Sequence, residues 1–218
     1  MNYEILSAFI LATAALAISP GPDNIYVLTQ SISNGIKCGL STTAGLITGC
    51  IVHTTFLAFG VSVLIKENDQ IFFIVKLFGA FYLFYLAYKV YNAKVHITLD
   101  STKFPKKSLG QLFRQGFIMN VLNPKVTIFF LAFFPGFLFS EDLDTVIQFY
   151  VLGLLFMIVT FFIFSAIALL SGSIAKQIKK HSGIELILKW LQIVVFSGIG
   201  IYLLFSDNFN MSLFLIVI

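Results

Sequence analysis

Ser19-Pro20-Gly21-Pro22-Asp23-Asn24 interrupts a stretch, Ile5 to Thr29, in which almost every other residue is apolar. The stretch has the length and character of a membrane span. Two prolines and a glycine inside it break the helix, and Asp23 places an ionisable group beside the break. Both features are costly in hydrocarbon. The freed backbone groups need partners, and a charged side chain at the bilayer centre costs at least about 2.5–3.5 kcal/mol. Such features persist where they line a polar site, so the segment points to a protein that handles a polar solute within the membrane.

Composition supports the same reading. The chain of 218 residues is 58% hydrophobic, 11% charged and has a mean hydropathy of +0.95. A soluble chain would confine its apolar residues to stripes or alternating faces. Here long segments are apolar all round, at roughly 5–29, 40–65, 71–91, 113–137, 146–171 and 187–206. Six transmembrane helices are expected, in a single all-α membrane domain. The dyad alternation of a β-barrel is absent. The N-terminal Met-Asn-Tyr-Glu lacks a basic cluster, and the first apolar stretch exceeds a signal h-region, so no cleavable signal is expected. No segment reads as a nucleic-acid-binding patch.

The charges suggest an orientation. Eleven of the fourteen Lys and Arg residues fall on one side of the six-span layout: Lys37; Lys89, Lys94, Lys103, Lys106, Lys107 and Arg114; and Lys176, Lys179, Lys180 and Lys189. The other side holds Lys66 together with Glu67, Asp69, Glu141, Asp142 and Asp144. The positive-inside rule then puts the odd connections in the cytoplasm and both termini outside. The apolar tail Met211–Ile218 is too short to cross and is expected at the interface.

A second break echoes the first. Asn123-Pro124-Lys125 interrupts the fourth span as Pro20-Gly21-Pro22 interrupts the first. Each break opens a half of three helices: about 1–92 and about 113–206, joined by a loop near 93–112 and followed by a tail at 207–218. Three spans per half invert the second half relative to the first, the layout of inverted-repeat transporters with a site near the midplane.

The candidate site residues follow from the breaks, and each has a plain alternative. Asp23 suits an ammonium group or a proton, or it caps the second half of its helix. Lys125 could attract a carboxylate or pair with Asp23; the alternative is snorkelling to the interface. Asn24 joins Asp23, Asn123, Lys125 and His53 as a candidate substrate- or ion-binding residue; the plain alternative is that Asn24 and Asn120, which flank the breaks, satisfy loose backbone groups. Ser41, Gly45, Gly49 and His53 lie at i+4 spacing on one helix face, with Gly45 and Gly49 forming a GxxxG packing motif. His53 is either an interhelical hydrogen-bonding group or a protonatable one. Lys76, near a helix end, is expected to snorkel, and the run Phe81–Tyr85 through Tyr91 to serve as belt and packing. Cys38 and Cys50 are about 18 Å apart along a helix, too far to pair, and read as small apolar residues.

These segments resemble the LysE/RhtB family of amino-acid exporters. The matching stretches are SPGPDN at 19–24, NGIKCGLSTTAGLITG at 34–49, VKLFGAFYLFYLAYKVY at 75–91 and FRQGFIMNVLNPKVTIFFLAFFPGF at 113–137. The combination of PGP, GAxYL and NPK in order is specific, whereas the last two helices agree mainly in hydropathy. The resemblance implies a multi-pass protein of the bacterial inner membrane that exports amino acids or close derivatives, in exchange for protons, as a homodimer or other homo-oligomer. It also places Asp23, Asn123, Pro124 and Lys125 at the family's polar motifs, whereas His53 falls at a more variable position. A superfamily branch that transfers reducing equivalents uses cysteines in helices 1 and 4, which have none here. Another branch exports metal cations, but one Asp and one His inside the helices make a poor ligand set. No cofactor or metal is expected. An intramembrane enzyme would need a nucleophile–base pair, and His96 and His181 lie in the charged connections. A structural subunit docking through the GxxxG face is the remaining rival.

Overall fold

The computed structural model describes residues 2–19, 21–62, 69–92, 106–180 and 183–205, and all regular structure among them is helical. In chain order the helices are α1 (Tyr3–Ile18), α2 (Pro22–Asn34), α3 (Ile36–Phe56), α4 (Asp69–Asn92), α5 (Leu109–Val121), α6 (Pro124–Phe133), α7 (Thr145–Leu169), α8 (Ser171–Lys180) and α9 (Gly183–Phe205). A π-helical turn, Leu57–Val61, continues α3, and a 3-10 turn, Phe134–Phe137, continues α6. Pro20, His96, His181, the side chain of Lys76 and the tail 207–218 lie outside the described residues.

Both expected breaks are present. α1 and α2 meet at an angle of 57°, and α5 meets α6 and its 3-10 continuation at 53°. Among the described residues, three helices are long and apolar enough to cross a membrane, or five if each bent pair is one span. The third expected segment, 71–91, is the 24-residue helix α4.

The helix ends follow local chemistry. Asn2 caps α1 through Oδ1, which accepts from the Glu4 and Ile5 amides. Ser108 and Gln111 form a reciprocal capping box on α5. Asp144 caps α7 by accepting from Val146 N–H. Between α2 and α3 a single residue turns the chain. Gly35, at φ 96°, takes a conformation that a side chain would strain.

The core is aromatic. Phe9 of α1 sits among Phe133, Phe134 and Phe137, with ring centroids 5.2–5.5 Å apart. Phe130 stacks on Phe134 at 4.2 Å, and Phe156 of α7 closes on Phe130 at 4.9 Å. Such pairs add roughly 0.5–1.5 kcal/mol each beyond their burial. The outward faces carry bare apolar side chains, among them Leu11, Phe56, Phe78 and Phe162, as expected of surfaces that meet acyl chains.

The GxxxG face packs on α5 along its whole length. Ser41 Oγ donates to the Leu109 carbonyl at 2.6 Å. A Cβ at Gly45 would lie 2.0 Å from the Phe113 carbonyl oxygen, and one at Gly116 would lie 2.4 Å from that of Thr42. Backbone therefore meets backbone directly, which only glycine allows. This seam joins the two halves of the chain and fixes where the second break sits relative to α3.

At one end of the bundle Gln148 organises the connection before α7. Its Oε1 accepts from the Phe139 and Ser140 amides, and its Nε2 donates to the Ser140 and Leu143 carbonyls, at 2.8–3.0 Å. The side chain is buried and every one of its hydrogen-bonding sites is used in a segment that has no helical ladder of its own.

Candidate functional site between the two helix breaks

Pro22 and Pro124 occupy the first turns of α2 and α6, where a missing N–H costs nothing and the fixed φ suits a helix start. Asp23 and Lys125 each follow their proline by one residue. Both line one cavity, together with Gly21, Asn24 and Asn123. The breaks thus bring an acid, a base and two helix N-termini to a common space. Its volume is about 60 Å³, room for roughly four to six waters at about 10–15 Å³ each.

Asn123 ties the breaks together. Its Oδ1 accepts from Lys125 N–H at 3.0 Å and caps α6. Its Nδ2 donates to Asp23 Oδ2 at 3.2 Å, a bond between residues one hundred apart in sequence. Asp23 and Lys125 interact electrostatically across the cavity. Asp23 Oδ1 is buried and has no hydrogen-bond partner among the described residues. Lys125 instead places Nζ 4.8 Å from the centre of the Phe196 ring on α9, a cation–π contact.

Gly21 lies beside Lys125 in the cavity wall. Its backbone is extended, at φ −153°, which any residue adopts. A Cβ there would lie 3.3 Å from Lys125 Nζ, a contact that a shift of a few tenths of an ångström at the end of the lysine side chain relieves. Asn24 lines the cavity and also serves the backbone by donating to the Ala17 carbonyl at 2.6 Å. Asn120 does not follow that pattern. Its side chain lies against Gly49, where a Cβ would come within 2.7 Å of Oδ1, and Nδ2 reaches Cys50 Sγ at 3.6 Å. Oδ1 is buried without a hydrogen-bond partner among the described residues. Gly49 therefore makes room for a polar side chain in the cavity wall.

His53 is not part of the lining. Its Nε2 lies 3.1 Å from the Asn120 carbonyl, and its ring packs 5.4 Å from that of Phe130. The geometry is that of an interhelical hydrogen-bonding group. Sequence reasoning did not single out Thr160 of α7, which lines the cavity with a buried hydroxyl that has no partner among the described residues, nor Phe196. A lone threonine in a very apolar helix gives no spacing signal, and an aromatic ring among many phenylalanines gives none either. Cys38 and Cys50 are free thiols. Among the described residues no group of three or more His, Cys, Asp or Glu side chains could hold a metal ion.

Electrostatically the cavity combines one carboxylate, one ammonium and the partial positive charge of two helix N-termini. Asp23 complements its helix dipole. Lys125, at the start of α6, opposes its own. The Lys125 side of the cavity is therefore suited to an anion, and the Asp23 side to a cation.

Comparison with known proteins places this arrangement in a class. The family described as LysE type translocator matches residues 14–207, and the chain belongs to that family. Two similar relatives are the proteins named homoserine/homoserine lactone efflux protein from Salmonella typhimurium and from Salmonella typhi. Each is 31% identical over 179 residues, covering 82% of this chain and 86% of the relative. No solved structure matches.

Proposed function

We propose that the protein is a secondary exporter of amino acids or close derivatives, with its binding site in the cavity between the two breaks. The single observation that carries this reading is the meeting of Asp23, Lys125 and two half-helix N-termini around one space. A zwitterion has the complementary charges. Its ammonium faces Asp23 Oδ1, the oxygen left unpartnered, and its carboxylate faces Lys125 and the start of α6. Asn123 holds Asp23 in place, and Asn24 keeps the break closed by binding Ala17. Family membership and the names of the two relatives favour the same substrate type.

In this reading the chain crosses the bacterial inner membrane six times, with α4 as the third span and both termini outside. The halves are inverted repeats: each break sets a proline at the helix start and a charged residue next to it, with bends of 57° and 53°. Export runs by exchange for protons, in a homodimer or other homo-oligomer. Labelled amino acid loaded into cells or vesicles tests the central claim. Asp23→Asn and Lys125→Ala should each slow efflux at least tenfold; wild-type rates in both remove the site from the mechanism. Collapsing the proton gradient tests the exchange. Labelling of single cysteines placed near the N-terminus and in the 93–112 loop tests the orientation.

A further inference from the structure

Asp23 is the first of a row of polar residues on α2. Gln30 and Asn34 follow it seven and eleven positions on, so all three lie within about 40° of one another around the helix. The row covers about 17 Å along the axis, just over half of a hydrocarbon core of about 30 Å. It starts in the cavity wall and ends at Gly35, close to the exposed Lys37. Gln30 is 2% exposed, and its Oε1 accepts from Asn34 Nδ2 at 2.9 Å. The buried Tyr26 hydroxyl interacts with the Gln30 side chain one turn on, short of a well-formed hydrogen bond. Among the described residues neither Gln30 nor Asn34 bonds to another helix through its side chain. The opposite face of α2 carries the exposed Ile25 and Ile32. Polar side chains are costly inside a span and face a bundle interior or a water-filled space. A row that pairs only along its own helix keeps its bonds when the neighbouring helices part.

Two neighbouring helices carry the cavity wall in the same direction. Leu46 and Cys50 of α3 line the cavity, and Gly39 and Thr43 continue their face towards the start of the helix. Thr160 and Phe164 of α7 line it, and Ala168 continues that face. The three lines converge: a Cβ at Gly39 would lie 1.8 Å from Ser31 Oγ of α2 and 3.1 Å from Ala168 Cβ. Small residues alone close the space there. Along α6 the wall is aromatic instead. Phe129 lines the cavity and stacks on Phe133 at 4.4 Å, and Phe133 meets Phe9 at 5.5 Å, which offers a polar solute nothing.

We propose that α2, α3 and α7 enclose a closed passage between the cavity and the Gly35 end of the bundle, walled by Gln30 and Asn34 and gated by the contact of Ser31, Gly39 and Ala168. This rests on the exporter reading and adds the route by which the solute enters. No charged residue lies between Asp23 and Lys37. The two amides supply both donors and acceptors, so they pair with either pole of a zwitterion without holding it as a full charge would. The gate opens when α2 leans away from α3 and α7, and the single-residue turn at Gly35 is the joint nearest to it.

Single cysteines test the route. In vesicles supplied with amino acids, Gln30→Cys and Asn34→Cys should react with a small charged methanethiosulfonate at least about tenfold faster than Ile25→Cys and Ile32→Cys, whose thiols face acyl chains and stay protonated. Peptide mass spectrometry reads each site apart from the native Cys38 and Cys50. A label at Gln30→Cys should also stop efflux. The gate is tested by Ser31→Cys with Ala168→Cys in one chain. A short bifunctional thiol reagent should halt its efflux relative to each single variant treated alike, and a reductant should restore it; the recovery shows that the protein is folded. Gln30→Cys as unreactive as Ile32→Cys, or a bridged protein that exports at the unbridged rate, overturns the passage while leaving the exporter reading intact. Fast labelling of Gln30→Cys in a protein that exports no amino acid keeps the passage and overturns the exporter reading.

Discussion

Replacing Asn123 separates its two duties. Asn123→Ser keeps a good helix cap, because serine can still accept from Lys125 N–H, but serine is too short to reach Asp23. Asn123→Ala loses both bonds. A hydrogen bond to a charged group contributes about 1.5–3 kcal/mol, and a lost cap costs about 1 kcal/mol. For a chain of this size 1 kcal/mol corresponds to about 2–4 °C, so Asn123→Ser should melt roughly 3–12 °C below wild type. Asn123→Ala should fall a further 2–4 °C or so below the serine variant. The measurement is thermal unfolding of the purified protein in one detergent, with efflux measured in parallel. Efflux should drop in both variants by a similar factor, since both release the Asp23 carboxylate, whereas stability should fall in two steps. Serine and alanine variants that melt together would show that the cap has no role. Variants that melt with wild type would refute the claim that Asn123 couples the two breaks.

Three further outcomes are expected. Gly45→Leu should prevent stable folding or cost well over 3 kcal/mol, because its first carbon already overlaps the Phe113 carbonyl oxygen; the yield of monodisperse protein in detergent reads this. Gln148→Leu strips four hydrogen bonds from a buried connection and should cost about 2–5 kcal/mol, lowering Tm while leaving substrate preference unchanged. His53→Gln can still donate to the Asn120 carbonyl, so its efflux should keep the wild-type pH profile; a displaced profile would assign His53 a proton-handling role instead.

The breaks were legible because proline and a charged residue are rare inside apolar spans, and their cost makes them informative wherever they occur. The packing face of α3 was legible too: Ser41, Gly45, Gly49 and His53 all meet α5, as a four-residue period requires. The sharing of one space by the two breaks was legible as well; what escaped was the detail of how distant side chains meet there. Nothing in the spacing of Asp23 and Asn123 says that one binds the other across the bundle. Asn24 and Asn120 look alike beside their breaks, yet one closes the backbone and the other turns into the wall. Thr160 carries no local signal at all, because only the assembled bundle shows that it lines the cavity.

The glycine seam between α3 and α5 also constrains movement. Where main chain rests on main chain there are no side chains to slide, repack or compress, so the two halves cannot tilt against each other at that line without tearing it open. In the exporter proposed above, opening to alternate sides would then fall to the short helices beyond the kinks, with Pro22 and Pro124 as pivots. A chemical cross-link between α3 and α5 should leave efflux running, and one between α2 and α6 should stop it; the opposite pair of results would move the pivot to the seam itself.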